Sequence, residues 1–198
     1  MVGVSHKKSA IKIGVLALQG AFERHQKVFQ QLGVEAAQVR MPADLAKVDA
    51  LVIPGGESTT MSQLLESSEL FEPISLRIKQ GLPVFGTCAG MILLAKSIID
   101  GRDDQLSFEA IDIDVQRNAY GRQIDSFEAE IKIDSSDSSF HAVFIRAPRI
   151  VSLGSGVTPL AYCGDDVVLA RQENILVASF HPELANDVRL HELFLKGV

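Results

Sequence analysis

Cys88 has the sequence setting of a catalytic nucleophile. It lies in Phe85-Gly86-Thr87-Cys88-Ala89-Gly90, between a predicted strand and a predicted helix. Small neighbours permit the tight turn that exposes a nucleophile, and the amides and dipole of a helix that begins at Ala89 would favour a thiolate and hold an oxyanion. A free cysteine is often just a small buried hydrophobic residue. We expect the two flanking glycines to have no purpose in core packing, and this favours catalysis.

A thiolate needs a base, and His181 has the most organised setting among the histidines. The other four are His6, His25, His141 and His191. His181 lies in Ser179-Phe180-His181-Pro182-Glu183, and in an extended backbone Glu183 would point to the same side and orient the imidazole. A single histidine near a strand end is as often a surface or core residue. Its pairing with Cys88 favours a Cys-His-Glu triad.

A glycine pair in Pro54-Gly55-Gly56-Glu57-Ser58 has the features of an oxyanion site. Glycine amides can approach a carbonyl oxygen that becomes negative in the transition state, and loss of one such donor typically raises the barrier by ~3 to 4 kcal/mol. A Gly-Gly pair by itself more often marks an ordinary turn. Its position at a predicted strand end near Cys88 strengthens the prediction.

Strands alternate with helices in the first half of the chain, which favours an α/β fold with a parallel sheet covered on both faces. The predicted strands are Ile11–Leu18, Val34–Val39, Ala50–Ile53 and Pro83–Gly86. Helices are predicted at Ala21–Leu32, after Ser58 and Thr59, either of which could cap, and at Phe71–Gln80; Pro42 predicts a turn. Two special loops, 54–58 and 86–90, fall at carboxyl ends of strands, where ligands bind in such folds.

The second half of the chain is richer in strands. Alternating residues from Phe127 to Ile133 are followed by predicted strands at Val143–Arg146, Val167–Arg171 and Ile175–Ser179, and by a final helix at about Asp187–Lys196. We expect these strands to be mixed or antiparallel additions to the same sheet. Since no linker-like segment separates the halves, residues 11–198 are predicted to form one domain, preceded by a flexible extension, residues 1–10.

Composition excludes several classes of function. The chain has 198 residues and a net charge of −6 without a long basic run, so it has no electrostatic reason to bind nucleic acid or anionic membranes. It contains neither a membrane-spanning apolar stretch nor a signal peptide. We therefore expect a cytoplasmic location, where the thiols of Cys88 and Cys163 stay reduced and need not pair. Cys163 lacks a helix start and a histidine motif, so its predicted role is structural.

The motifs resemble those of a known enzyme class. GTCAG around Cys88 and FHPE at His181 are similar to the class I, triad-type glutamine amidotransferases. Further segments resemble one family within that class, the glutaminase subunits of pyridoxal 5'-phosphate synthase, from about Ile11 to the C-terminus. These segments are Leu18-Gln19-Gly20, Pro54 to Met61, Arg117-Asn118, Tyr120-Gly121-Arg122-Gln123, Asp125-Ser126-Phe127-Glu128 and Phe144-Ile145-Arg146-Ala147-Pro148.

The resemblance implies a fold, a reaction and a partner. The fold would be a flavodoxin-like three-layer sandwich with a mostly parallel central sheet and extra strands in the C-terminal half. The chain would hydrolyse L-glutamine to L-glutamate and ammonia without a cofactor or metal. The ammonia would pass through the protein interior to a synthase subunit, in a large hetero-oligomeric ring, which makes pyridoxal 5'-phosphate from ribose 5-phosphate and glyceraldehyde 3-phosphate. Pyridoxal 5'-phosphate is then the product.

The resemblance also assigns residues. Cys88, His181 and Glu183 would form the triad, and Gly56 and Ala89 would supply the oxyanion amides. Glutamine would be held by Gly56, Glu57, Ser58, Arg117, Ile145 and Arg146. Gln19 would lie where the family rearranges a glutamine near the oxyanion hole. A guanidinium can also fork-bind the α-carboxylate of glutamine on chemical grounds alone.

Two other classes of protein remain open from the sequence. A cysteine peptidase or related hydrolase on the same nucleophile turn would cleave peptides as the isolated chain. A regulatory or scaffolding module would retain the fold without the chemistry, and covalent labelling of Cys88 by a glutamine-like electrophile would distinguish it.

Overall fold

The computed structural model describes residues 11–102, 104–117, 126–133 and 138–198. The predicted flexible extension, residues 1–10, lies outside these ranges. So do parts of the motifs that carry the resemblance, namely Asn118, Tyr120 to Gln123 and Asp125. No helix in the described part of the chain is long and apolar enough to cross a membrane.

The first half of the chain alternates strands and helices, as predicted. Its elements are β1 (Lys12–Leu16), α1 (Phe22–Gln31), β2 (Glu35–Val39), α2 (Pro42–Leu45), β3 (Ala50–Ile53), α3 (Ser58–Ser67), α4 (Phe71–Lys79), β4 (Val84–Thr87) and α5 (Ala89–Leu94). Gly33 and Gly81 end α1 and α4 with φ of 71° and 93°, where glycine has no Cβ penalty. Pro42 opens a one-turn helix rather than a simple turn, because its fixed φ suits a first helical position.

The second half is mostly strands. Its elements are β5 (Ala95–Ile98), β6 (Ile111–Gln116), β7 (Ser126–Ile133), β8 (Ser139–Ile145), β9 (Arg149–Leu153), β10 (Thr158–Cys163), β11 (Asp166–Gln172), β12 (Ile175–Ala178), a 3₁₀ turn (Pro182–Leu184) and α6 (Arg189–Leu195). The predicted strands correspond to β7, β8, β11 and β12. The sequence pattern did not reveal β5, β6, β9 or β10.

Nine strands form the main sheet in the order β2-β1-β3-β4-β12-β11-β10-β7-β8. Neighbours from β2 to β12 pair in parallel, and those from β12 to β8 pair antiparallel. The order of the parallel part matches the flavodoxin-like doubly wound arrangement. The predicted α/β fold class is confirmed, with antiparallel strands making up the second half of the sheet.

The four strands predicted in the second half all join the main sheet, as expected, but three strands that the sequence did not reveal lie outside it. Strands β5, β6 and β9 form a separate three-stranded sheet. In β6 the buried residues alternate, and Ile111, Ile113 and Val115 pack in the same core cluster as the fully buried helix α5. This small sheet therefore packs with α5 in one core.

Two cores lie on opposite faces of the main sheet because successive strand residues point to opposite sides. Leu51 and Ile53 belong to the core shared with α3, α4 and α5, whereas Val52 belongs to the core shared with α1 and α6. The result is a three-layer molecule. The carboxyl ends of β3, β4 and β12 are neighbours at one edge, where the loop of residues 54–58, Cys88 and His181 meet.

Candidate active site

Cys88 occupies a strained turn between β4 and α5. Its φ of 49° and ψ of −106° are rare for a residue with a side chain, and its amide donates to Ala178 O at 2.8 Å. Such strain persists where surrounding structure enforces it, often at functional sites. The amide of Ala89, first in α5, has no partner within the helix. The Cys88 sulfur lies 3.8 Å from the carbonyl oxygen of Ile145.

The two glycines beside Cys88 do serve packing, contrary to the expectation from sequence. A Cβ at Gly90 would lie 2.0 Å from Ile53 O, and one at Gly86 would lie 2.7 Å from the carbonyl carbon and oxygen of Gly90. The backbone of α5 thus presses directly on β3 and β4. The glycines allow the close approach of helix to sheet, which in turn fixes where the cysteine turn can lie.

His181 and Glu183 are paired, but not through an extended backbone. His181 immediately precedes the 3₁₀ turn that contains Glu183, and the ring Nδ1 lies 2.7 Å from Glu183 Oε1. The His181 amide donates to Val143 O at 2.8 Å, which ties the turn to β8. Both side chains are almost entirely buried. The carboxylate therefore fixes the ring, with Nδ1–H donating to Glu183 and Nε2 left for a partner on the other side.

Opposing effects act on the pKa of His181. Burial lowers it, but hydrogen-bonding and charge contacts with Cys88 and Glu183 raise it to about 10. Burial likewise raises the pKa of Glu183, and this is outweighed by the nearby histidines His25 and His181, so the net shift is downward. The net shifts favour an imidazolium held by a carboxylate, beside the sulfur of Cys88.

Gly55 touches the imidazole, a contact that the sequence did not indicate. A Cβ at Gly55 would lie 2.3 Å from His181 Cε1, whereas the neighbouring Gly56 would meet Gln19 Oε1 at 2.9 Å. Gln19 Oε1 also accepts from the Glu57 amide at 3.1 Å. The loop of residues 54–58 is therefore held between Gln19 and the His181 ring. Gly55 follows β3 and His181 follows β12, so this role of Gly55 becomes visible only when both strands are placed in the sheet.

Glu57, rather than Ser58 or Thr59, caps α3. Its carboxylate accepts from the amides of Thr59 and Thr60 at 3.0 and 2.7 Å, and from the Thr60 hydroxyl at 2.7 Å. Burial raises the pKa of Glu57, but these hydrogen bonds dominate and lower it to about 2. The prediction of a Ser or Thr cap was wrong because an acidic residue one position earlier satisfies the same amides.

One pocket gathers the predicted substrate residues. A cavity of about 210 Å³ is lined by Gly55, Gly56, Glu57, Ser58, Cys88, Ile92, Arg117, Ile145, Arg146 and His181. Pockets for drug-sized ligands are typically about 300–1,000 Å³, so this one suits an amino-acid-sized molecule. Ala89 is adjacent in the chain and buried, and Glu183 lies behind the imidazole. The predicted site residues therefore lie together.

The two arginines of the pocket are held differently. Arg117 donates through Nη1 to Gln105 Oε1 at 2.7 Å, and its Nη2 lies 3.5 Å from Glu57 Oε1. Arg146 has a φ of 43°, a left-handed conformation rare for a residue with a Cβ. Like Cys88, Arg146 combines an uncommon backbone conformation with a position in the lining of the pocket. Cys163, by contrast, is a free, half-buried residue of β10 packed against the core that contains α1 and α6.

Known proteins resemble this chain over nearly its full length. The protein named pyridoxal 5'-phosphate synthase subunit PdxT of Thermosipho africanus is 52% identical over 188 residues, covering 95% of this chain and 99% of that protein. The PdxT of Desulforamulus reducens is 54% identical over 187 residues, covering 94% and 98%.

A solved structure described as a glutamine amidotransferase has a TM-score of 0.88 at 46% identity and covers 93% of this chain and 97% of its own. The solved structure of PurLQS from Thermotoga maritima shares the fold, with a TM-score of 0.69 at 14% identity over 94% and 98% of the two chains. The sequence model of the SNO glutamine amidotransferase family matches residues 15–198. With that match and relatives above 50% identity, the chain belongs to the SNO glutamine amidotransferase family.

Proposed function

We propose that this chain is the glutaminase subunit of a pyridoxal 5'-phosphate synthase, which hydrolyses L-glutamine to L-glutamate and ammonia. The observation that carries the proposal is one small pocket in which Cys88, the His181–Glu183 pair and the glycine loop meet. Relatives with 52% and 54% sequence identity are named as subunits of that synthase, which supports a role in pyridoxal 5'-phosphate synthesis. The family match supports the use of glutamine.

The first half-reaction begins when the Cys88 thiolate attacks the carboxamide carbon of glutamine. A carbon–sulfur bond forms, and the amide oxygen becomes an oxyanion held by the amides of Gly56 and Ala89. Collapse of this intermediate breaks the carbon–nitrogen bond. His181 gives its Nε2 proton to the leaving nitrogen, so ammonia departs and a γ-glutamyl thioester remains on Cys88.

The second half-reaction is hydrolysis of that thioester. Neutral His181 takes a proton from water, the hydroxide adds to the thioester carbon, and the carbon–sulfur bond breaks. Glutamate leaves, and the thiolate of Cys88 is regenerated beside the protonated ring. Through both steps Glu183 holds Nδ1–H, so the ring presents the same nitrogen to the substrate.

Substrate binding is assigned to Gly56, Glu57, Ser58, Arg117, Ile145 and Arg146. The guanidinium groups of Arg117 and Arg146 would bind the α-carboxylate of glutamine, since a planar fork of donors matches a carboxylate. Glu57 holds the loop by capping α3 and contacts Arg117. Glu57 would therefore contribute to glutamine binding partly by maintaining the conformation of the loop.

The ammonia is delivered to a partner synthase subunit that makes pyridoxal 5'-phosphate from ribose 5-phosphate and glyceraldehyde 3-phosphate. The word subunit in the names of the relatives supports such a partner. That the partner is a large ring decorated by glutaminases, and that ammonia passes through its interior, rests on the motif resemblance. We also assign a single domain, residues 11–198, and a cytoplasmic location, where a nucleophilic thiol stays reduced.

The test is Cys88→Ala assayed with and without the co-expressed synthase. We expect glutaminase activity to disappear, while synthesis of pyridoxal 5'-phosphate from added ammonium persists when the synthase is present. Wild-type hydrolysis should rise with the synthase. If Cys88→Ala still hydrolyses glutamine, the nucleophile is misassigned; if the wild-type chain cleaves peptides instead, it is a peptidase.

A further inference from the structure

Two more histidines are buried directly behind the His181–Glu183 pair. His25 on α1 and His191 on α6 have no exposed surface, and His25 Nδ1 lies 2.9 Å from His191 Nε2. His25 Nε2 lies 3.3 Å from Thr87 Oγ1, one residue before Cys88, and 3.4 Å from Glu183 Oε2. A continuous row of polar groups therefore runs from α6 through α1 to Glu183.

Glu183 uses its two oxygens differently. Oε1 accepts from His181, whereas Oε2 is fully buried and has no hydrogen-bond partner among the described residues. A buried carboxylate oxygen without a donor is costly, and His25 Nε2 lies 3.4 Å from it, at ion-pair distance. His25 is thus placed to supply the donor that Oε2 lacks.

One assignment of the ring protons lets His25 donate towards Glu183. With a proton on Nε2, His25 donates towards Glu183 Oε2 and Thr87 Oγ1, and its Nδ1 accepts from His191 Nε2–H. In the other tautomer a bare nitrogen of His25 would face the carboxylate. His191 Nδ1 then carries no proton, which agrees with its lack of a partner among the described atoms. His191 therefore sets the direction in which His25 donates.

The environment keeps the two buried histidines uncharged. Burial lowers the pKa of His25, against the raising effect of Glu183, and burial with the neighbouring His25 lowers the pKa of His191 well below its usual value. Charged residues on α1 and after the 3₁₀ turn border a surface cavity that Glu183 also lines; they are Glu23, Arg24, Lys27 and Asp187. The Glu183 side chain itself has no exposed surface, and its ion-pair partners among the described residues are His25 and His181.

We propose that His25 is a positioning residue for catalysis. In this role His25 donates to Oε2 of Glu183, so that Oε1 stays aligned with His181, and His191 fixes the tautomer of His25. The proposal rests on the glutaminase function above and extends the triad by one hydrogen-bonded residue. If the His25 ring only filled the core, its packing against Phe85 and His191, which also contact each other, would be sufficient.

Three variants separate positioning from packing. His25→Leu removes the donor while filling similar space. His25→Gln restores it, because the Gln side-chain nitrogen coincides with His Nε2. Phe29→Leu is the control, since Phe29 is a buried ring on the same helix that packs against His191 and carries no hydrogen-bonding group.

The readouts are the pH profile of kcat/KM for glutamine with the synthase present, and the pH profile of iodoacetamide labelling of Cys88 followed on its own peptide. We expect His25→Leu to lower kcat about 10- to 100-fold with little change in KM, since His25 is not a pocket residue. In both profiles the acidic limb, where activity or labelling falls as the pH decreases, should move to higher pH for His25→Leu. The reason is that Glu183 without a donor takes a proton more readily. His25→Gln and Phe29→Leu should keep the wild-type limb.

The proposal is overturned if folded His25→Leu keeps the wild-type limb and kcat, or if His25→Gln is as impaired as His25→Leu. Should His25→Leu fail to fold, His25→Asn takes its place, because its nitrogen coincides with Nδ1 and faces His191. An active His25→Gln variant with an impaired His25→Asn variant would support the positioning role. Equal activity of the two variants would refute it. Failure of the glutaminase function itself would appear as an inactive wild type, while labelling of Cys88 would still report on His25.

Discussion

Gly55→Ala tests whether the His181 ring works from the position seen in the structure. The new methyl carbon would lie 2.3 Å from Cε1, 2.9 Å from Nδ1 and 3.2 Å from Nε2 of that ring, whereas ordinary contacts begin at 3.4 Å. The ring must therefore retreat by about 1.1 Å, the difference between 3.4 and 2.3 Å. That exceeds what the 2.7 Å hydrogen bond to Glu183 can absorb without breaking.

A misplacement of about 1 Å can cost on the order of 100-fold in rate. We expect kcat of Gly55→Ala to fall by about that factor, with a smaller change in KM. The assay is glutamine hydrolysis with the synthase present, together with a thermal melt. Gly156→Ala is the matched control, because its nearest contact is the Gln172 amide at 3.3 Å and it lies outside the pocket. If Gly55→Ala keeps kcat within about twofold of this control, the ring does not act from its observed position.

Two further predictions concern stability. Glu57→Ala removes the acceptor of the first α3 amides, so a melt should show a loss of about 0.5–2 kcal/mol, and KM should rise as the pocket loop loosens; no change in either would refute the capping role. Since burial lowers the folded-state pKa of His25 and His191, their contribution is complete above about pH 6.5 and is lost as pH falls towards the folded values, by up to about 1.4 kcal/mol per pH unit for each. Denaturant unfolding from pH 7.5 to 5 should show this loss, and His191→Phe should reduce it; an equal loss in that variant would contradict the assignment.

Local patterns predicted the parallel half of the fold well. Short apolar runs such as Ala50–Ile53 became fully buried strands, and Gly33 and Gly81 ended their helices, because these signals depend on neighbouring residues alone. The later strands were harder. Strand β9 exposes most of its residues and β6 packs on α5, so partners distant in sequence determined their sheet.

The sequence also led to some correct predictions for incorrect reasons. His181 and Glu183 do pair, but through a 3₁₀ turn that Pro182 begins, not through an extended strand. The residues next to Cys88 indicate no packing purpose for its glycines, yet Gly90 faces the Ile53 carbonyl. In both cases the residue types were informative, whereas the contact that requires them lies on another element.

The chemical groups of the site follow from the order of residues alone: a thiol in a tight turn, a histidine with a carboxylate two residues on, and a glycine pair after a strand. How those groups are supported depends on the packing of distant elements. Packing placed Gly55 against the imidazole, and it joined α1 and α6 behind Glu183 so that His25 lies beside the carboxylate and His191 lies beside His25. The reason is that burial and hydrogen bonding depend on distances between elements, which no local pattern of residues encodes.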